Sequence, residues 1–184
     1  MNYCSLCAHR LELRVPKGDN RPRYCCAHCG AIHYENPRVV LGTIPEYDGR
    51  VLLCRRAIEP RSGFWTLPAG FMENGETTAE GALRETREES GATIELLDVF
   101  SIIDVVHVAQ VHLFYRARMA NSAFEAGTES LEVRLFDEAE IPWDDLAFLT
   151  TAGTLRAFFA DRAQGRFKTH VGFVEGHSLR WHQR

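Results

Sequence analysis

Three glutamates lie close together near the middle of the 184-residue chain. In TTAEGALRETREESG (77–91), Glu85, Glu88 and Glu89 follow a spacing of three residues and then one. On an α-helix this spacing places all three within an arc of about 100°. Each like-charged pair costs a few tenths of a kcal/mol, and anions are unfavourable near a helix C-terminus. Because Mg²⁺ binds carboxylate oxygens, the cluster predicts a divalent-cation site, with a solvated acidic face as the alternative.

Local signals define the helix that carries these glutamates. Thr77 and Glu80 form a capping box at its start, and Gly91 is typical of a helix end. A helical wheel places Arg84 on the opposite flank from the glutamates, with Glu80 and Arg87. The side chains predicted to face the core are Ala79, Leu83 and Thr86, with Ala82 at the edge.

A second group of chemically active residues lies at the N-terminus, where five of the six cysteines fall within the first 29 residues. Two Cys-x2-Cys pairs predict a structural zinc ion held by four thiolates, and the segment between them predicts two short strands around a turn at KGDN. The predicted ligands are Cys4, Cys7, Cys26 and Cys29. Two disulfides are the alternative pairing, and Cys25, His9, His28 and His33 are alternative ligands.

The remaining sequence predicts an α/β fold. Strand patterns cover 38–57, 93–106 and 109–119, a further strand that ends in a turn covers 130–141, and a second helix is predicted to end at Gly165. The predicted domains are a zinc ribbon at 1–35, a catalytic domain at 36–165 and an unassigned tail at 166–184. The absence of a long apolar run or signal region predicts a cytoplasmic protein without a membrane span. A net charge of -4 argues against a nucleic-acid-coating protein.

The spacing G-x5-E-x7-R-E-x2-E-E-x-G resembles the signature of the Nudix hydrolase family. Its fixed positions here are Gly70, Glu76, Arg84, Glu85, Glu88, Glu89 and Gly91. Thr86 and Ala92 depart mildly from the usual apolar positions of that pattern. The cysteine ribbon before YENPRVV, together with ESLEVRLFDEAEIPWDDLAF, resembles a subgroup that includes FAD and ADP-ribose pyrophosphatases. The resemblance covers about residues 1–165.

This resemblance implies a Nudix-type α/β/α sandwich with a mixed sheet, a zinc ribbon in front of it, and a homodimer. It implies Mg²⁺- or Mn²⁺-dependent cleavage of a nucleoside diphosphate linked to a moiety X, most simply FAD or ADP-ribose, with release of AMP and phosphorylated X. By the same resemblance, Arg84 pairs with Glu76 in a structural role. The implied metal ligands are Glu85, Glu89, Glu88 (directly or through water) and the Gly70 carbonyl.

Several functional questions stay open at the level of sequence. The general base is either a glutamate of the signature or one of the distant candidates Glu129 and Glu132. NADH ranks lower as a substrate because residues 93–117 lack the SQPWPFPxS array of ribbon-containing NADH pyrophosphatases. A non-catalytic nucleotide sensor, or a regulator that binds nucleic acid through the ribbon, is the alternative from another class. The aromatic candidates for stacking on a base are Trp65, Phe71, Phe114 and Tyr115.

Overall fold

The computed structural model describes residues 1–182 and divides into two compact units, one at Met1–Pro37 and one that begins at Arg38. Within residues 1–37, strands β1 (Leu11–Arg14), β2 (Arg23–Cys26) and β3 (Ile32–His33) form an antiparallel sheet in the order β1-β2-β3. The two strands predicted around the KGDN turn are therefore confirmed. The core of this unit is small and consists of Cys4, Leu11 and Cys26 with a few partly buried neighbours.

The second unit is built on a mixed sheet. Among residues 38–182 the sheet has nine strands, in the order β10-β5-β4-β9-β8-β11-β12, with β6 paired to β5 and β7 paired to β4. They are β4 (Arg38–Tyr47), β5 (Arg50–Arg56), β6 (Trp65–Thr66), β7 (Ala69–Phe71), β8 (Ile94–Val105), β9 (Gln110–Met119), β10 (Ser130–Phe136), β11 (His170–Glu175) and β12 (Ser178–Trp181). The pairs β4–β9 and β8–β11 are parallel.

Two helices cover opposite faces of this sheet: α1 (Thr78–Ser90) and α2 (Leu149–Ala163). Thr43 of β4 faces α1, where its hydroxyl lies 2.7 Å from that of Thr86. The next side chain along β4, Ile44, points to the other face and packs in a cluster with Leu155 and Phe158 of α2. The α/β/α sandwich with a mixed sheet is thus confirmed.

The capping box of α1 is present, and the burial of one α1 side chain differs from prediction. Thr77 accepts a hydrogen bond from the Glu80 amide, and Gly91 ends the helix in the left-handed conformation. Leu83, predicted to anchor the helix in the core, is 38% exposed, so that prediction is wrong. The buried positions of α1 are Gly81, Ala82, Thr86, Glu89 and Ser90. The helix approaches the sheet so closely that a Cβ at Gly81 would overlap Leu41. Small side chains therefore face the sheet.

Within the predicted tail, which the sequence leaves unassigned, residues 170–181 form the hairpin β11–β12, and residues 183–184 lie outside the described residues. Strand β11 pairs in parallel with β8, and β12 follows it on the outside. Buried Asp161, near the end of α2, accepts hydrogen bonds from the Lys168 amide at 3.0 Å and from His170 Nε2 at 2.9 Å. The tail therefore belongs to the sheet. In the described part of the chain, no helix is long and apolar enough to cross a membrane.

Candidate active site

Glu89 is the most deeply buried of the three glutamates, with 6% of its surface exposed. Its carboxylate accepts a hydrogen bond from the Ala69 amide at 3.0 Å. Burial raises the pKa of Glu89 to about 8, against the opposing effect of the Ala69 hydrogen bond. Folding therefore places an acidic group where its charge is poorly solvated, beside the backbone of β7.

Glu85 lies against the next residue of β7, Gly70. A Cβ added at Gly70 would overlap the Glu85 carboxylate, so only glycine allows this approach. Burial raises the pKa of Glu85, and Arg84 partly offsets the rise. Two poorly solvated carboxylates on α1 thus lie beside the Ala69–Gly70 backbone. Such a pair fits a hard cation, which would supply the compensating charge.

Arg84 connects α1 to the loop in front of it. Its guanidinium binds Glu76 through two hydrogen bonds, of 3.0 and 2.8 Å, and donates to the Phe71 carbonyl at 3.1 Å. The hydrogen bonds from Arg84 hold the pKa of Glu76 low, at about 2. Because a bidentate arginine–carboxylate pair fixes both partners in orientation, Arg84 holds the 71–76 loop against the helix.

Arg84 also binds two of the three clustered glutamates, Glu85 at 2.7 Å and Glu88 at 3.2 Å. The Glu88 side chain is 60% exposed, while Glu89 points to the Ala69 amide. As a result, among residues 1–182, these three carboxylates do not form a group with oxygens within 4.8 Å of one another. The carboxylates that fit a cation at the β7 backbone are Glu85 and Glu89. Glu88 lies at the outer edge.

The loop 120–129 contributes to the site in a way that sequence reasoning missed. The loop lies alongside the C-terminal end of α1. The Glu125 amide donates to the Ser90 carbonyl at 2.8 Å, and the Gly127 amide donates to the Glu89 carbonyl at 3.1 Å. A Cβ at Gly127 would overlap the Glu88 carbonyl. The glycine in EAGTES was the one available sequence signal for this close approach.

The two distant base candidates occupy different places. Glu129 lies close enough to the carboxylate pair that its charge adds, after burial, to the raised pKa of both Glu85 and Glu89. Glu132 is exposed on β10 and lies 3.8 Å from Arg55. Of the two, Glu129 is the one next to the candidate site. Arg56 was not singled out from the sequence, yet its charge partly offsets the rise that burial causes in the pKa of Glu89.

The aromatic candidates divide by exposure. Phe114 is buried in the core, Trp65 packs edge-on against Phe136, and the Tyr115 hydroxyl lies 2.7 Å from that of Thr78. Phe71 is 44% exposed and immediately follows Gly70. Its ring lies under the guanidinium of Arg38, 4.6 Å from the ring centroid. Among these four rings, Phe71 is the exposed one, and it adjoins Gly70 in the sequence.

In the N-terminal unit the sulfurs of Cys4, Cys7, Cys26 and Cys29 lie within 4.8 Å of one another. The sulfurs of Cys7 and Cys26 are 3.5 Å apart and those of Cys4 and Cys29 are 3.7 Å apart, which is far longer than a disulfide. Zn–S bonds of 2.3 Å in a tetrahedron separate sulfurs by about 3.8 Å, so the cluster fits zinc. Cys25 lies outside this group, and its thiol faces the carbonyls of Arg14 and Arg23.

Comparison with known proteins assigns both units. Residues 2–35 match the zinc-ribbon profile described as Nudix N-terminal, and residues 36–162 match the NUDIX domain profile. The crystal structure of a NUDIX hydrolase from Nitrosomonas europaea is 46% identical and covers 96% of this chain and 100% of that one, with a TM-score of 0.93.

Two curated relatives carry more specific names. An ADP-ribose pyrophosphatase of Methanocaldococcus jannaschii is 33% identical over 59% of this chain and 67% of its own length. The NAD-capped RNA hydrolase NudC of Vibrio atlanticus is 24% identical over 77% of this chain and 51% of its own length. The matched regions thus span about half to two thirds of these relatives. The profile match over most of the chain and the shared sandwich show that this chain belongs to the Nudix hydrolase family.

Proposed function

We propose that this protein is a divalent-cation-dependent pyrophosphatase that cleaves ADP-X molecules, with ADP-ribose, NAD-like compounds and FAD as the candidate substrates. The observation that carries the proposal is the pair of poorly solvated carboxylates, Glu85 and Glu89, beside the Gly70 backbone. The similarity to an ADP-ribose pyrophosphatase and to NudC supports ADP-ribose and NAD-like substrates. The ribbon subgroup resemblance supports FAD.

In this proposal each residue near α1 has a separate task. Glu85, Glu89 and the Gly70 carbonyl hold Mg²⁺ or Mn²⁺, with Glu88 as an outer or water-mediated ligand. A bound divalent cation would neutralise the negative charge on the pyrophosphate oxygens. Arg84 positions the 71–76 loop through Glu76. It must release Glu85 and Glu88 when they turn to the cation.

The reaction is a hydrolysis in which water attacks one phosphorus and the bond to the bridging oxygen breaks. The products are AMP and phosphorylated X. Glu129 is the proposed acceptor of the water proton because it is the exposed carboxylate next to the pair. Phe71 is the proposed stacking surface for an adenine ring, since aromatic side chains favour such contacts and its ring is exposed beside Gly70.

The test is a substrate panel of ADP-ribose, FAD, NADH and Ap4A with Mg²⁺ or Mn²⁺, scored by AMP release. Glu89→Gln should lower turnover more than about 100-fold, since even indirect supports of a metal site cost 10–100-fold. Glu95→Gln, an exposed glutamate of β8, is the matched control and should keep full activity. If no panel member is hydrolysed and the protein instead binds RNA or a protein tightly, the regulatory alternative replaces this proposal.

A further inference from the structure

The ribbon carries two histidines that the four-cysteine cluster does not use. His9 and His28 are exposed, and their rings stack in parallel with centroids 3.6 Å apart and an angle of 5°. One ring nitrogen of each lies within 4.8 Å of the other and of the Cys7 sulfur. Within residues 1–182, this group and the four cysteines are the ones whose ligand atoms approach each other this closely.

The two cysteine turns bring these histidines together from different positions in each turn. His28 lies inside its turn, two residues after the first cysteine, Cys26, whereas His9 lies just past its turn, two residues after the second cysteine, Cys7. Each turn closes with a backbone hydrogen bond to the carbonyl of its first cysteine. The Ala8 amide donates to Cys4 at 2.9 Å, and the Gly30 amide donates to Cys26 at 3.0 Å. The facing turns that align the four sulfurs therefore also align the two imidazoles.

A hydrogen bond sets the tautomer of His9. Its Nδ1 lies 3.0 Å from the Cys7 carbonyl oxygen, which can only accept, so Nδ1 carries the proton. In the neutral ring the lone pair is then on Nε2, which is the free coordinating atom. Metal-binding histidines commonly donate their other ring N–H to a backbone carbonyl in this way, because the contact fixes the ring orientation. This contact therefore leaves Nε2 of His9 available to a metal ion.

We propose that Cys7, His9 and His28 form a second transition-metal site, in which the Cys7 thiolate bridges this ion and the zinc held by the four cysteines. Four thiolates around one divalent cation carry a net charge of about -2, which a second divalent ion on neutral imidazoles balances. Thiolate and imidazole favour Zn²⁺, Co²⁺, Ni²⁺ or Cu²⁺ over Mg²⁺. With three protein ligands the site keeps one position open to water.

Binding requires a small local rearrangement. Zn–N bonds are about 2.0–2.1 Å long and lie close to the imidazole plane, so parallel rings must tilt to direct both lone pairs at one ion. Because both side chains are exposed, rotation about their side-chain bonds meets little resistance. Two exposed ligands and one shared thiolate also make this site weaker than the four-cysteine site. The second ion should therefore bind after the first.

The test counts metal ions per chain. Native mass spectrometry is done on the full-length Glu85→Gln/Glu89→Gln protein, which lacks the candidate cation site of α1, and Zn²⁺ addition should show a first ion and then a second, weaker one. The double variant His9→Ala/His28→Ala should lose only the second. The control His107→Ala/His177→Ala removes two exposed histidines elsewhere and should keep both ions. With Co²⁺ in place of Zn²⁺, the second equivalent should add visible absorption bands of a cobalt ion with nitrogen ligands. His9→Ala/His28→Ala should lack these bands.

Three outcomes would overturn the proposal. The first is a single zinc per chain at excess Zn²⁺ in the Glu85→Gln/Glu89→Gln protein with both histidines intact, which would leave the imidazoles as a stacked pair without a metal. The second is a second ion that survives in His9→Ala/His28→Ala. The third is loss of the first ion in that variant, which would make the histidines ligands of the primary site. Each reading is independent of hydrolytic activity.

Discussion

The functional character of single residues here depends on solvation. Sequence spacing predicts that Glu85, Glu88 and Glu89 act as a cluster, but it does not rank them. Their difference arises from tertiary contacts: Glu89 is buried on the Ala69 amide, while Glu88 remains exposed. Glu129 could not be separated from Glu132 by sequence either. The distinction depends on where the loop 120–129 meets α1, which is a long-range contact.

The buried Glu89 predicts a pH-dependent cost in stability when no divalent cation is bound. Its pKa is about 8 in the folded protein and near 4.5 in an unfolded chain. Between these values the folded state binds more protons, so the unfolding free energy falls as pH rises. Glu89→Gln removes this loss. The unfolding free energy of Glu89→Gln minus that of the unmodified protein should therefore increase by at least about 1 kcal/mol from pH 5 to pH 8.

Denaturant unfolding in Mg²⁺-free buffer measures this effect. All three tryptophans lie after residue 38, so their fluorescence reports the unit that contains Glu89. Glu95→Gln, at an exposed position, should show a pH-independent difference. Adding Mg²⁺ at pH 8 should then stabilise the unmodified protein and not Glu89→Gln. A stability difference that stays constant from pH 5 to pH 8 would contradict the assigned burial effect.

At the scale of elements, the close approach of α1 to its neighbours decides the geometry. Helix start, helix end and the glutamate face followed from the capping box, Gly91 and the 3.6-residue period. The buried face did not, because Leu83 appeared the better anchor by hydrophobicity alone. Packing against Leu41 at the Gly81 position favours small side chains there instead. A helical wheel contains no information about the distance between α1 and the strand that carries Leu41.

Gly127 predicts how tightly the loop 120–129 is held against α1. A Cβ there would overlap the backbone carbonyl of Glu88, which cannot move aside without disturbing the helix. Gly127→Ala should therefore destabilise the protein by about 1–3 kcal/mol. It should also lower AMP release, since the loop positions Glu129. Ser122→Ala, at an exposed position of the same loop, is the matched control and should match the unmodified protein in both assays. Unchanged stability in Gly127→Ala would show that the loop is not packed against the helix.

At the scale of the whole molecule, the sequence predicts most strands but not the hairpin of residues 170–181. Residues 166–182 show no sequence period that indicates strands. Strand β11 is stabilised instead by contacts with distant parts of the chain, namely its parallel pairing with β8 and the Asp161–His170 hydrogen bond. Such non-local pairing leaves little local signal. The ribbon is the opposite case. Its cysteine spacing alone was enough, since the metal dictates ligand number and separation.

The two units predict separate behaviour when zinc is removed. The ribbon has only a small core, so without metal it should unfold. Five cysteines lie in its first 29 residues, and the sixth, Cys54, is buried in β5 of the other unit. A zinc chelator should therefore expose five thiols to a colorimetric thiol reagent, and the sixth should react only in denaturant. Cys54→Ala should give five under both conditions. Six reactive thiols with chelator alone would show that the second unit depends on the ribbon for its fold, and four would show that the strand around Cys25 persists without metal.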